Sequence, residues 1–593
     1  MYSNNTALAP VAHAHTSSPA FSVSDLLVAY IARLGIDTVF GVPGGSIEPM
    51  YNALARHQAE GGNVQHYLAR HEAGAAFMAD GYARETGKIG VCISTAGPGA
   101  TNMITAVATA YTNRIPLLVI TAQPALPQHG RHALQESGPT GVDVVGMFSY
   151  VTCYSALVTH HSQFEHMLMA ALYEARAESR PVHLSIPCDV LSGQSGTSEP
   201  THDIAPLLEL SPVVDLRGIN AVASLLEPHG RAVILIGAGC ANAIADIMLY
   251  VERTQSPFIA TPDGVGLIHP HHPLYHGVFG FGGHRSAETV LCDPSIAFII
   301  AAGNSMGEWN TSGWRSSLMN KRLIHIDGCD AHLARTPMAK MHVRGDICAA
   351  FRSLASLMPE HSHSVGILGR KWGPIDMLDD HIAFQSSATP LKPQRLMNEL
   401  GRLFPIDTAY LADAGNSVAW ATHYLYPQQP SHVHDVRNQR REGWLRVTPH
   451  FAPMGWAIAA AIGTAAGNPD APVVCITGDG SMLMSGQELS VAVQEQLRVI
   501  YVVLNDRALG MVKHGQRLAG AASIAHQLPP TDFAAIARAL GGRAHTIKSA
   551  ADLQALDIKA ICNHPGPTLL DVYIDPEEAP PMGSRLRVLA GKF

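Results

Sequence analysis

Four short, nearly uninterrupted apolar runs, at 89–93, 117–120, 232–236 and 499–504, constrain the fold of this chain most. Strands that carry apolar residues on both faces belong to parallel sheets covered by helices above and below. Helical patterns at 73–84 and 456–466 fall between such runs. Repeated alternation of this kind predicts an α/β protein built from doubly wound domains with mostly parallel sheets. The 593 residues suffice for about three to five compact units. A segment rich in Ser, Gly, Thr and Pro at 191–206 and a polar one at 358–393 act as linkers. The expected plan is an N-terminal tail at 1–20, domains at 21–190, 207–357 and 391–578, and a C-terminal tail at 579–593. No repeat of about 20–50 residues is present, which excludes a solenoid or propeller.

Composition narrows the function classes. Forty-eight acidic residues against forty basic ones give a net charge of −8, which does not favour nucleic-acid binding. The nine cysteines contain no CxxC spacing, so neither a zinc site nor a disulfide framework is indicated. Most lie in apolar runs, as Cys475 does, and read as buried thiols of a reducing compartment. No signal peptide and no apolar run of about 20 residues is visible, so a cytoplasmic protein without membrane attachment is expected. Histidine is abundant at 32, and most are expected on the surface.

The most specific motif is Thr477-Gly478-Asp479-Gly480-Ser481, which follows an apolar strand; 24 residues separate its Gly480 from Asn505, at the end of the next one. Ligands bind open α/β sheets at such carboxyl ends. Gly478 and Gly480 let backbone approach a phosphate, and Asp479 and Asn505 offer hard oxygen ligands for Mg²⁺. A helix starting near Gly486 would add amide donors for an anion.

This arrangement resembles the fingerprint of the thiamine diphosphate-dependent enzymes. The resemblance implies Mg²⁺ held by Asp479, Asn505 and the carbonyl of Arg507, with Gly478, Gly480 and Ser481 at the diphosphate. Arg70-His71-Glu72 is similar to the segment that carries the family's activating glutamate, which assigns Glu72 to the aminopyrimidine ring. A carboxyl in a dry crevice suits such proton sharing. Gly41-Val42-Pro43-Gly44-Gly45, with Gly45 at the cofactor, and the stretch from Ser94 to Asn102 extend the match. The loop Gly97-Pro98-Gly99 alone reads as a phosphate cradle; the resemblance places it at the ring end instead.

The likeness spans about residues 20–580 and is closest to the acetolactate synthase large-subunit group. It implies that the three domains are pyrimidine-binding, central and diphosphate-binding. Asn416 and Ser417 then belong to a second diphosphate loop. Met454 is the wedge that bends the cofactor, with the Ala452 carbonyl beside it, and Met511 and Val512 line the reaction space. His132-Ala133-Leu134-Gln135-Glu136-Ser137 is similar to an active-site loop that brings Gln135 to the substrate. Family members place this site between subunits, so a homodimer or homotetramer is expected.

Three departures fall on the acceptor side. Leu134 stands for a Phe, Cys153 for a Lys and Gly515 for a Trp. In the central domain, the stretch from Gly303 to Asn310 replaces the family's flavin segment, so FAD is not favoured, although Ala238-Gly239 could turn around a nucleotide. The expected activity is a thiamine diphosphate- and Mg²⁺-dependent carboligase that joins a 2-keto acid donor, pyruvate first, to a second carbonyl compound. The alternatives are a non-ligating 2-keto acid decarboxylase and a non-catalytic subunit of the same fold. The decarboxylase reading is weakened because its usual histidine pair is absent from the region 97–137, although His160-His161 occurs later.

Overall fold

The computed structural model describes residues 21–138, 141–209, 211–229, 231–357, 375–427 and 443–589. The tail at 1–20, the first part of the second linker (358–374) and the last four residues lie outside these. The strands form three separate sheets of six, and every pairing is parallel. The first contains β1 (Thr38–Val42), β2 (Gln65–Leu68), β3 (Gly90–Ser94), β4 (Leu117–Gln123), β5 (Tyr154–Leu157) and β6 (Val182–Pro187), in the order β2-β1-β3-β4-β6-β5. The second contains β7 (Arg231–Ile236), β8 (Phe258–Ala260), β9 (Tyr275–Val278), β10 (Ile296–Ala302), β11 (Leu323–Asp327) and β12 (Met341–Arg344), in the order β12-β11-β10-β7-β8-β9. The third contains β13 (Ala409–Ala412), β14 (Leu445–Arg446), β15 (Val473–Gly478), β16 (Val499–Asn505), β17 (Arg543–Ile547) and β18 (Thr568–Tyr573), in the order β14-β13-β15-β16-β18-β17.

The first and third sheets therefore share one winding, and the order reverses between β1 and β3 and again between β13 and β15. Loops leaving the carboxyl ends diverge there and open a crevice. The second sheet has the other common doubly wound order, with its switch between β7 and β10.

Helices Glu72–Thr86 and Trp456–Gly467 join the first and third domains. Both are buried along most of their length because small residues dominate. A methyl group on Gly463 would come within 1.8 Å of the Met78 carbonyl oxygen, and one on Gly81 within 2.0 Å of that of Ala460. The Trp456 indole donates to Asp80 at 3.0 Å, and Asp80 pairs with Arg84 at 2.7 Å. Arg446 pairs with Glu85 across the same seam.

One feature differs from the sequence expectation. Residues in the presumed C-terminal tail form a helix, Gly583–Leu589, whose Arg585 bonds Glu308 of the central domain at 2.6 Å. Among the described residues seven histidines are buried (183, 276, 284, 325, 423, 514 and 526), a minority of the 32 in the chain. Strand interiors and domain seams bond ring nitrogens of His183, His284 and His325. Among the described residues no helix is long and apolar enough to cross a membrane.

Candidate active site

The crevice of the third domain opens between β13 and β15. Directly after β13, the fully buried Asp413 accepts from the backbone amides of Gly455 (2.9 Å) and Ala457 (3.1 Å) and from the Thr477 hydroxyl (3.0 Å). It thus ties three segments together: its own loop, the turn that starts helix Trp456–Gly467, and the end of β15. Sequence reasoning missed this residue. Gly415, at φ +111°, turns the chain into helix Asn416–Tyr424, and the Ser417 hydroxyl donates to the Asp413 carbonyl at 2.6 Å. The Asn416 amide oxygen is buried without a partner.

β15 runs straight into helix Asp479–Ser485. A helix also begins at Gly486, as expected, with a 3-10 turn that runs into helix Leu489–Gln494, but the motif itself is the first turn of an earlier one, which brings its own amides to the strand end. A methyl on Gly478 would meet nothing within 4 Å, whereas one on Gly480 would strike Leu509 at 2.6 Å and Met454 at 3.2 Å. Gly478 is thus open to a ligand, and Gly480 lies beneath the Met454 side chain. Ala452, at φ +46°, sits in the left-handed region just before it, a costly geometry for a side-chain-bearing residue.

The donor set for a cation is assembled here. Asp479 accepts from the Gly480 amide at 2.7 Å through one oxygen, while its other oxygen is buried and unpartnered. Burial pushes the Asp479 carboxyl up to about 6. Burial, with the charge of Asp479 added, pushes neighbouring Asp506 up to about 7. Asn505 donates through its amide nitrogen to Asp571 (2.8 Å) and to the Thr531 carbonyl (3.3 Å), so its amide oxygen is the end available to an electrophile. Arg507 adopts φ +55°, and its carbonyl accepts from Leu528 at 2.9 Å, retaining a second lone pair. Two desolvated carboxylates, an unused carboxylate oxygen and an oriented amide oxygen fit a hard divalent cation. Among the described residues no group of three His, Cys, Asp or Glu side chains forms an alternative metal cage.

The first domain supplies a second group at the corresponding carboxyl ends. Glu72 is the first residue of its helix and accepts from the Asn102 amide at 2.9 Å. A methyl on Gly99 would lie 3.4 Å from the Glu72 carboxylate, and one on Gly97 would lie 3.0 Å from Gln135. The glycine loop therefore gathers Glu72 and the exposed Gln135 around itself. Gln135 is held at φ +60°, and the Glu136 carboxylate accepts the amides of Gly130 and Ala133 to close its loop. A methyl on Gly44 would strike Thr95 at 2.6 Å, while Gly45 has open space.

The three acceptor-side positions do not converge within the chain. Leu134 is 87% exposed beside Gln135. Gly515 lies in helix Gly510–Leu518, behind the half-buried Met511 and exposed Val512, with nothing within 4 Å of where a side chain would begin. Cys153 precedes β5, at the amino edge of its sheet, where its thiol donates to the Pro181 carbonyl at 3.4 Å and burial pushes it up to about 11. The structure does not bring Cys153 to the Glu72 group.

Sequence reasoning also missed Glu488 and Asp571. Glu488 accepts from the Arg70 amide at 3.1 Å, and burial pushes it up to about 7. A methyl on Gly74 would strike it at 2.5 Å. Asp571 interrupts an apolar run, and a charge inside a buried strand was the available signal. In the central domain the turns after β7 and β10 meet directly, with the Gly239 amide donating to the Gly303 carbonyl at 3.0 Å.

Comparison with known proteins agrees with this geometry. Family models match residues 21–143 (thiamine pyrophosphate enzyme, N-terminal TPP binding domain), 219–354 (central domain) and 413–572 (C-terminal TPP binding domain). The chain is 31% identical to the acetolactate synthase isozyme 1 large subunit of Escherichia coli, over 94% of this chain and 95% of that protein. It is 31% identical to a putative acetolactate synthase large subunit of Mycobacterium tuberculosis (94% and 98%). It is 30% identical to a probable acetolactate synthase large subunit of Methanocaldococcus jannaschii (95% and 94%).

Proposed function

The chain belongs to the thiamine pyrophosphate enzyme family, among relatives named acetolactate synthases, and from that premise we propose that it is a carboligase using thiamine diphosphate and Mg²⁺. The unpartnered Asp479 oxygen, set beside Asn505 at the strand ends, is the observation that carries this reading. When bound, the cofactor supplies a carbon nucleophile that takes up a 2-keto acid, releases CO₂ and hands on the acyl unit.

In this reading the third domain holds the diphosphate end. Asp479, Asn505 and the Arg507 carbonyl would take the cation, while Asn416, Ser417, the first-turn amide of Ser481 and the close backbone of Gly478 and Gly480 would face phosphate oxygens. Met454, above Gly480, would wedge against the cofactor, and the Ala452 carbonyl would be the nearby acceptor. The first domain holds the ring end, where Glu72, fixed by Asn102, takes and returns a proton, and Gly45 leaves room for the ring. Gln135 positions the substrate, and Met511 and Val512 keep water out.

The donor is a small 2-keto acid, with pyruvate as the first candidate. The acceptor is a carbonyl compound bulkier or less charged than pyruvate, because Leu134 and Gly515 remove two rings and the space beside Gly515 is open. An indole there would cover about 150–250 Å².

Purified protein given thiamine diphosphate, Mg²⁺ and pyruvate should release CO₂ and, with a panel of aldehydes and keto acids, form a new C–C bond detected by mass spectrometry. Aldehyde as the sole product would replace ligation with simple decarboxylation; no product of either kind would sink both. Gly515→Trp should depress reaction with bulky acceptors at least tenfold more than pyruvate decarboxylation. Equal losses would remove Gly515 from acceptor choice.

A further inference from the structure

At the seam between the first and central domains, a cysteine, a histidine, an aspartate and an arginine meet outside the site described above. Cys329 follows the carboxyl end of β11. Its amide donates to the Asp327 carboxylate at 2.7 Å, and its sulfur accepts from the Arg114 guanidinium at 3.3 Å. Arg114 reaches it from the first domain, held at φ +59° at the end of helix Ile104–Asn113. His332, one turn along, bonds the Asp327 carboxylate at 3.1 Å, and its backbone amide donates to the Cys329 carbonyl at 3.0 Å, which holds the imidazole beside the thiol. This is the grouping that activates sulfur nucleophiles: a thiol, a histidine beside it, a carboxylate that orients the histidine, and a fixed cation. Cys329 is half-buried, between exposed Gly328 and Asp330, so small reagents reach it.

We propose that Cys329 is a reactive thiolate and a site of reversible oxidation, taking hydrogen peroxide as oxidant and then a low-molecular-weight thiol. The sulfur attacks one peroxide oxygen, an S–O bond forms and the O–O bond breaks. The departing hydroxide takes a proton from the His332 imidazolium and leaves as water. Cysteine is oxidised by two electrons to the sulfenic acid, and peroxide is reduced. The added thiol then attacks sulfur, giving a mixed disulfide and a second water, and excess thiol reverses the modification.

The electrostatics agree. Burial alone would raise the Cys329 thiol, yet the neighbouring His332 and the charge of Arg114 bring it down to about 7. Burial likewise opposes charge on His332, but its bond to Asp327 and the neighbouring Cys329 raise it to about 9. Burial raises Cys92, Cys153, Cys188, Cys240, Cys348, Cys475 and Cys562 instead. His325 also faces Asp327, and burial pushes it down to about 4, so it stays neutral.

The full-length protein, treated at pH 7 with hydrogen peroxide and dimedone, should acquire the sulfenic-acid adduct on Cys329 at least tenfold faster than on exposed Cys292, read by peptide mass spectrometry. Glutathione in place of dimedone should add one glutathione to Cys329, removable by dithiothreitol. His332→Gln and Arg114→Gln should each slow labelling at least threefold. Labelling of Cys329 no faster than Cys292 would overturn the proposal. So would fast labelling that neither substitution slows, since exposure alone would then explain it. If His332→Gln does not fold, Arg114→Gln, in the other domain, decides.

Discussion

Glu72 and Asp479 carry different parts of the proposed chemistry, and single substitutions separate them. Glutamine at 72 keeps an oxygen for Asn102 but has no exchangeable carboxyl proton. Glu72→Gln should therefore lower turnover by about 10²–10⁴, while thiamine diphosphate with Mg²⁺ still raises the melting temperature as in the unsubstituted protein. Asp479→Ala should abolish that cofactor-dependent stabilisation, because it removes the unpartnered oxygen on which the cation site rests. Calorimetry with and without cofactor, paired with a CO₂ assay, checks both. Normal turnover in Glu72→Gln, or an undiminished cofactor effect in Asp479→Ala, would reassign the residue.

At the scale of elements, the apolar runs were legible because both-face burial leaves a pattern that little else produces. β16 is the run at 499–504 with one residue added, and β7 is the run at 232–236 with one residue added. Glu72, Asp479 and Asn505 were legible because they sit where strands end. The roles of Asp413, Glu488 and Asp571 were not, since each depends on which distant backbone amide or side chain arrives beside it. The helix crossing was hidden for the same reason: an alanine-rich stretch reads as a helix without saying what it touches. Gly463→Ala tests that crossing. Its methyl meets the rigid Met78 backbone, and overpacking of this kind costs about 1–3 kcal/mol. The urea midpoint should fall, while Gly583→Ala, where nothing lies within 4 Å, should leave it unchanged. Equal midpoints for both would show that the crossing can open at no cost.

For the molecule as a whole, buried histidines in different domains are expected to set the acid limit of stability, and the two halves of the proposed site predict its assembly. Burial pushes His183 down to about 3, and His325 and His423 to about 4. Between those values and 6.5 the unfolded chain binds protons that the folded chain refuses. Their stabilising contribution is therefore complete above pH 6.5 and lost as pH falls toward 4, by up to about 1.4 kcal/mol per group and pH unit. The melting temperature should drop by several degrees between pH 7 and pH 5; constancy over that range would show that these rings protonate without unfolding. Assembly follows from exposure. Phe451, Leu483, Met484 and Val512 lie exposed around the Asp479 loop, and Leu134 and Tyr150 lie exposed in the first domain. Apolar surface at a site's rim calls for a cover, and a second copy related by two-fold symmetry would give each Asp479 its partner's ring-end domain. Inactive Glu72→Gln and Asp479→Ala chains, mixed equally under subunit exchange, should then regain activity. Random pairing makes half the dimers mixed, and each mixed dimer holds one intact site of two, so recovery should approach about 25% of the unsubstituted value. Zero recovery despite proven exchange would place each site within one chain.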